Sequence, residues 1–390
     1  MADLDGDVHP VLRGLRASEP VSWLPVLSGW LVTRRDLALQ VLRDSATFTV
    51  DDPRFSTARV IGPSMLSLDG TQHRRHRDPF AEAFRMTEIE GRLTEFTEAT
   101  AERLVMGFAA AGRAELRRGL AGPLAVAVVA DVLGLGETDP AQILSWYDEI
   151  VGAVSALAGQ PGQAGRFGPR DVDRAERDGG GEAFIMLSER LLGVIAADHG
   201  TSLLAAAART GALDPGEVVS NAAVAMFGGI ETTEGMICNA ALHLLSQPAG
   251  LREVTADPGL LVGAVEESLR LEPAAAVVDR YATADADLGG AAIRRGDLVT
   301  VSLSGAGRDP AFFPDPDRFD LHRGNAGQHL AFAHGPHFCL GAHLARLETT
   351  TALRALLRLP GLRLDPAFSP APRGVVFRKP PALHLAWDVR

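Results

Sequence analysis

The chain has 390 residues and only two cysteines, and one of them stands where sulfur chemistry is expected. Cys339 follows the run His334-Gly335-Pro336-His337-Phe338, and helical composition resumes just beyond Gly341. A thiol at the start of a helix meets unpaired backbone N–H groups and the positive end of the helix dipole, and both favour thiolate. A thiolate there is either a metal ligand or a nucleophile. A nucleophile needs a positioned base, which His337 two residues earlier offers; a buried inert thiol is the third possibility. The second cysteine, Cys238, is far away and forms no metal-ligand or disulfide spacing with Cys339.

Two further segments carry candidate chemistry. In Phe227-Gly228-Gly229-Ile230-Glu231-Thr232-Thr233, two glycines and two β-branched hydroxyl residues interrupt an otherwise helical stretch. Each glycine costs about 1 kcal/mol against alanine in a helix interior. A long helix that accepts this cost does so where a ligand approaches its backbone, or where small residues let helices pack. Thr232 has a hydroxyl and Glu231 a carboxyl, so the pair can pass protons. Glu267-Ser268-Leu269-Arg270 sets opposite charges three apart on a helix whose apolar spacing predicts burial; alone, such a pair carries little information.

The elements that must position these residues are mainly helical. Asp214-Pro215-Gly216-Glu217 is a strong helix start, and no stop follows until Gln247-Pro248. The spacing predicts one helix from Pro215 to about Ser246, roughly 48 Å long at 1.5 Å per residue. So long a rod argues for a single domain over residues 1–390, since length alone suggests two or three. Asp257-Pro258 opens another helix, with Leu261, Val265 and Leu269 on one side, and a third follows Gly341. Strand patterns are short: Trp30–Thr33, Leu298–Leu303 and Leu383–Trp387. The fold class expected is mainly α, with a long central helix and small β-sheets at the periphery. Gly159 to Gly181, rich in Gly, Arg and Asp, reads as a surface loop suited to act as a lid.

A net charge of -11 opposes binding to nucleic acid or to anionic lipid. Met1–Arg16 shows no apolar signal core, and the most apolar run, Leu120–Leu135, is short and contains Asp131. A soluble cytoplasmic protein without a membrane span is therefore expected. Basic residues are almost all arginine, and Lys379 is the only lysine.

Taken together, these segments resemble the cytochrome P450 family. Phe332 to Gly341 looks like its haem-ligand loop, Glu267 to Arg270 like its E-x-x-R helix, and Gly228 to Thr232 like its oxygen-binding helix. Leu68-Asp69-Gly70-Thr71-Gln72-His73-Arg74-Arg75-His76-Arg77 is similar to the bacterial D-x-x-x-H-x-R-x-R segment. Ala306 to Pro310, Phe313 to Pro316 and Phe319-Asp320 resemble the stretch before the haem loop. The order of the motifs agrees, and the likeness covers nearly the whole chain. Ala333 departs from a common glycine, Gly307 from a frequent asparagine, Gly70-Thr71 from prolines, and Glu231 from aspartate.

The resemblance implies haem b, iron protoporphyrin IX, with Cys339 as thiolate ligand of the iron and Gly341 beside it. It implies that His73, Arg77, Arg280, His337 and also His329 hold the propionates, donor types that suit carboxylates. Gly228 and Gly229 would leave room for O2, with Thr232 and Glu231 handling protons; Glu267 and Arg270 would form a buried pair joined to Arg308 or its neighbours. The implied activity is monooxygenation of a small, largely hydrophobic or aromatic molecule in bacterial secondary metabolism. Demethylation, coupling, nitration or peroxygenase chemistry are the alternatives within the family, and a haem sensor or carrier is the alternative outside catalysis. The implied partners are a ferredoxin and a ferredoxin reductase, with Arg74, Arg75, His343 and Arg346 as a basic docking face. The chain itself is expected to be a monomer. The expected pocket draws on Phe55 to Met65, Gly159 to Phe167, Ala225 to Phe227, Ala274 to Val278 and Val375 to Phe377, with Asp52, Arg54 and Asp279 as polar anchors.

Overall fold

The computed structural model describes residues 2–158, 180–197, 202–365 and 369–389. The expected loop from Gly159 lies outside the described residues up to 179, and Gly180 and Gly181 open the helix Gly180–Ala197 instead.

A helix over Pro215–Leu245 runs through the core, one residue shorter than its sequence predicts. Its start is a capping box: Asp214 Oδ1 accepts the Glu217 N–H at 2.9 Å, and Glu217 Oε2 accepts the Asp214 N–H at 3.0 Å. The helix stays embedded because it is apolar on most sides. It packs against Gly122–Leu133 on one flank and Ala342–Leu356 on another. Most of the apolar run Leu120–Leu135 forms the helix Gly122–Leu133, ended by Gly134 in the left-handed conformation with φ of 72°. No helix among the described residues is long and apolar enough to cross a membrane. The Asp257-Pro258 start first makes a short 3-10 turn, Pro258–Leu260, before the helix Leu261–Leu271, whose Leu261, Val265 and Leu269 are buried as expected.

The strands, in chain order, are β1 (Val21–Leu24), β2 (Gly29–Val32), β3 (Phe48–Thr49), β4 (Arg113–Glu115), β5 (Val277–Ala282), β6 (Ala286–Leu288), β7 (Ala291–Ile293), β8 (Leu298–Ser302), β9 (Arg363–Leu364) and β10 (His384–Ala386). The main sheet has the order β1-β2-β8-β5-β3, in which β2 and β8 are parallel and β5 and β8 antiparallel. The three expected strands are β2, β8 and β10, each trimmed at its ends. Leu303 leaves β8 because Ser302 Oγ caps a short helix by accepting the Gly305 N–H at 2.9 Å. The long strand missing from the sequence reading is β5, which has no turn signal before it and places Asp279-Arg280 among valines. One face of this sheet, through Val32, Val299 and Val301, packs on the helix Arg35–Arg43; the other, through Leu31, meets Leu4, Val8 and Leu12 near the N-terminus.

Candidate active site

The loop before the helix Ala342–Leu356 is a tight fold held by backbone bonds. The Cys339 N–H donates to the Phe332 carbonyl at 2.9 Å, Phe338 to Gly335 at 3.0 Å, and Ala333 to Leu330 at 2.8 Å. Gly335 has φ of 73°, and a Cβ there would lie 2.4 Å from the Leu42 carbonyl oxygen, so only glycine fits. Ala333 is also left-handed, at φ of 56°. The alanine that departs from the family's glycine thus adopts the conformation glycine would take freely, at a cost of about 1–2 kcal/mol.

Cys339 lies two residues before the cap residue Gly341, its sulfur in no disulfide and its side chain on the wall of a cavity of about 1190 Å³. Burial raises its thiol above the ordinary value; the Gly341 N–H and the Arg77 and Arg346 charges pull the other way without overcoming it. The helix entrance thus works against burial at this sulfur, and a bound metal cation would favour the thiolate, since a coordinating thiol is deprotonated. No hydrogen bond joins Cys339 to His337 among the described residues: His337 Nε2 is 2.9 Å from Asp69 Oδ1, and its ring lies against that of His73 with centroids 4.3 Å apart.

The cavity is larger than the ~300–1,000 Å³ of ordinary small-molecule pockets, which suits a prosthetic group together with a substrate. Gly228, Gly229 and Thr232 line it from the central helix; Phe332, Cys339 and Gly341 line it from the loop. The two glycines differ. A Cβ on Gly228 would meet open space, whereas one on Gly229 would lie 2.7 Å from Val129 Cγ2. Gly229 is required for helix packing, so of the pair only Gly228 leaves room beside the cavity. Thr232 Oγ1 donates back to the Gly228 carbonyl, closing a helical side-chain bond at the wall.

A group of cationic and imidazole side chains gathers at one edge. Arg77 lines the cavity and donates to the Phe338 carbonyl at 2.6 Å; Arg280, 5% exposed, donates to its neighbour's carbonyl at 2.7 Å. Burial lowers both guanidiniums from their usual value. His73 is buried, and its Nε2 has no hydrogen-bond partner among the described residues; burial, then the His337 and Arg77 charges, push its pKa down to about 4. An unpaired buried imidazole nitrogen beside a buried and a half-buried guanidinium is a costly arrangement that an anionic carboxylate relieves. This donor set fits a propionate-bearing porphyrin, and the free sulfur of Cys339 fits its iron. His329 does not join the group. Its Nδ1 accepts the Ala331 N–H at 3.1 Å and its Nε2 is 3.3 Å from Glu266, which also holds Arg346; it does not line the cavity.

Glu231 turns from the cavity wall into an ionic cluster. It accepts from the Tyr147 hydroxyl at 2.5 Å and pairs with Lys379 at 2.7 Å, while Lys379 also reaches Glu234 at 2.8 Å and Glu234 holds Arg117 at 2.6 Å. Glu348, on the helix after Cys339, lines the cavity with Oε2 unpaired among the described residues, and burial pushes its carboxyl well up.

The Glu267–Arg270 pair is fully buried and bidentate, at 2.7 Å for each bond. Its third member is Arg323, whose Nε lies 2.9 and 3.1 Å from the two Glu267 oxygens. Arg308, expected there, instead donates to the Leu271 carbonyl and to Asp317. A Cβ on the adjoining Gly307 would be 2.1 Å from the Arg270 carbonyl oxygen, so no side chain fits at 307. The basic face is likewise thinner than expected: Arg75 is tied to Glu217 and Arg346 to Glu266, while Arg74 and His343 are exposed. Asp69, Tyr147, Arg323, Glu348 and Lys379 escaped the sequence reading as site residues, although the sole lysine was a visible anomaly. The expected pocket segments from 55 to 65, 225 to 227, 274 to 278 and 375 to 377 all contribute to the wall; Gly159 to Phe167 lies outside the described residues.

Comparison with known proteins shows the family. Residues 259–382 match the family model "Cytochrome P450". The chain is 36% identical over 381 residues to cytochrome P450 monooxygenase PikC of Streptomyces venezuelae, covering 93% of this chain and 86% of that one. It is 32% identical over 404 residues to mycinamicin IV hydroxylase/epoxidase of Micromonospora griseorubida, covering 98% and 97%. The crystal structure of P450BioI bound to an acyl-carrier protein superposes with a TM-score of 0.87 at 26% identity, covering 100% of both chains. With an accessible cysteine in its loop, a donor set suited to propionates and relatives of this extent, the chain belongs to the cytochrome P450 family.

Proposed function

We propose that this monooxygenase oxidises a small, largely hydrophobic or aromatic molecule of bacterial secondary metabolism, hydroxylation being the simplest outcome, at a haem b bound through Cys339. The observation that carries the reading is the convergence on one cavity of Cys339, the Arg77–Arg280–His337 edge with unpaired His73 behind it, and the Gly228–Thr232 wall. When bound, the haem supplies dioxygen activation, and thiolate ligation favours O–O cleavage.

The protein's own groups bind, orient and move protons. His73, Arg77, Arg280 and His337 hold the propionates. Thr232 holds a hydroxyl proton at Gly228 O; rotating about χ1 turns that hydroxyl into the cavity, where it can orient water. Glu231 lies next along the helix and takes protons through Lys379 and Tyr147, so the route from outside passes through that cluster rather than straight from Glu231 to solvent. Phe227, Ala276, Val278 and Phe377 present an apolar surface to the substrate. Electrons come from a ferredoxin and its reductase, the first docking near the exposed Arg74 and His343.

The test is the reduced carbon monoxide spectrum of the reconstituted protein, followed by product analysis under isotopic O2. The red-shifted Soret band and one labelled oxygen in the product are expected. Loss of that band in Cys339→Ser with haem retained supports the ligand role, and its persistence there contradicts it.

A further inference from the structure

The cavity that holds Cys339 and Gly228 reaches the N-terminal segment, where Leu4, Val8 and Leu12 form part of its wall. These three side chains are buried and cluster with Leu31 of β2, with Val375 packed beside them. The main sheet supplies another wall by its alternation. Val32, Val299 and Val301 turn to the helix Arg35–Arg43, so Leu31 and Thr300, register partners on β2 and β8, turn to the cavity. The Thr300 hydroxyl is already bonded to Asp279 at 2.6 Å, and Ser302 Oγ accepts the Gly305 N–H. Toward the N-terminal segment the lining is an apolar surface.

Three stretches of chain meet around this end of the cavity, and one buried polar group joins them. Glu272 Oε2 lies 2.7 Å from His9 Nε2, and its Oε1 accepts from Arg378 Nε at 2.8 Å. Each member stands beside wall residues in the chain: His9 follows Val8, Glu272 precedes Ala274 by one proline, and Arg378 follows Phe377. Backbone bonds repeat the connection, since the Gly374 N–H donates to the Asp5 carbonyl and the Arg378 N–H to the Ala274 carbonyl, both at 2.8 Å. Burial pushes the Glu272 carboxyl up, and His9 and Arg378 hold it down more strongly, to about 2. Without His9 this enclosed carboxylate loses one of its two side-chain partners, so the N-terminal segment is fastened in place as a wall.

We propose that Val8 and Leu12 are specificity-determining residues that close one end of the cavity against the apolar tail of an elongated substrate, so that residues 4–12 set how long a tail the enzyme accepts. The inference rests on the monooxygenase reading in that the tail belongs to the molecule oxidised. Each methylene taken out of water adds about fourfold in affinity, so two that reach this apolar end already exceed about tenfold. A phenyl ring introduced at position 8 or 12 occupies the space those methylenes would fill.

The experiment titrates the haem-loaded enzyme with 1-butylimidazole, 1-octylimidazole and 1-dodecylimidazole, whose ring nitrogen binds haem iron and red-shifts the Soret band while only the tail varies. The dodecyl compound is expected to bind at least about tenfold more tightly than the butyl compound. Val8→Phe and Leu12→Phe should each bring that ratio to within about threefold of unity, with far-UV circular dichroism checking that both fold. Leu12→Ala adds space instead of filling it and should keep the ratio above about tenfold. Equal affinities along the series, a ratio that survives both phenylalanine substitutions, or a parallel loss for both compounds overturns the proposal. The second of these places the tail in another part of the cavity, and the third reports general damage to the site. Absence of any red shift with butylimidazole refutes the haem reading, whereas a red shift with a flat series refutes the wall alone, so the two failures are separately visible.

Discussion

Replacing Arg323 with methionine and, in parallel, Arg308 with methionine tests which arginine completes the buried E-x-x-R pair. Arg323 is 7% exposed, shares its Nε between both Glu267 oxygens, and donates to the carbonyls of Pro314, Asp315 and Arg318 at 2.6, 3.1 and 3.2 Å. Its removal leaves Glu267 with less compensation than its burial requires and takes this donor from the Pro314 and Asp315 carbonyls, while the Arg318 carbonyl keeps Arg270. Breaking one side of a buried ionic network costs about 3–5 kcal/mol. Arg308 makes one bond to the Leu271 carbonyl and one pair with Asp317, itself 41% exposed, so its loss is on the order of 1–2 kcal/mol. With a urea slope of ~3 kcal/mol per M, the midpoint falls by on the order of 1 M for Arg323→Met and about half that or less for Arg308→Met. Far-UV circular dichroism of the haem-loaded protein, with refolding on dilution as the check of reversibility, reads both. Equal midpoints, or a larger fall for Arg308→Met, would refute the assignment of Arg323.

Three further outcomes follow from the same geometry. Ala333→Gly removes the left-handed Cβ penalty and pays part of it back in chain entropy, so a gain of ~0.5–1 kcal/mol and a raised melting temperature are expected; a lowered one counts against strain at that position. Lys379→Met takes the cation from Glu231, so product formed per reducing equivalent should fall several-fold and the solvent isotope effect rise, with Lys379→Arg in between; unchanged coupling removes Lys379 from the proton route. Glu266 is pushed up by burial but held down more strongly by His329 and Arg346, to about 2. A lowered carboxyl stabilises the fold fully above its unfolded value near 4.5 and loses that contribution as pH falls toward 2, so the stability gap between wild type and Glu266→Gln should close over that window. A gap constant from pH 6 to pH 2.5 contradicts this ion pair.

The chain by itself determined the elements whose cause is local. The Asp214–Glu217 box marks its helix because the capping residues lie within one turn, and Leu261, Val265 and Leu269 announce a buried face by spacing alone. The Cys339 loop and the Glu231-Thr232 pair were legible for the same reason, since their residues are neighbours in sequence. Only the tertiary structure decided which distant groups meet them. Arg323 rather than Arg308 reaches Glu267, Lys379 crosses from near the C-terminus to Glu231, and His329 turns to Glu266 instead of the cavity. Asp279 and Arg280 are adjacent yet serve opposite faces, a division that appears only once β5 pairs with β8. Burial acts in the same way: the position of Cys339 ahead of a helix favours a thiolate, and enclosure by the surrounding protein pushes its thiol the other way. Dielectric and long-range pairing depend on everything packed around a group, which no local window of sequence contains.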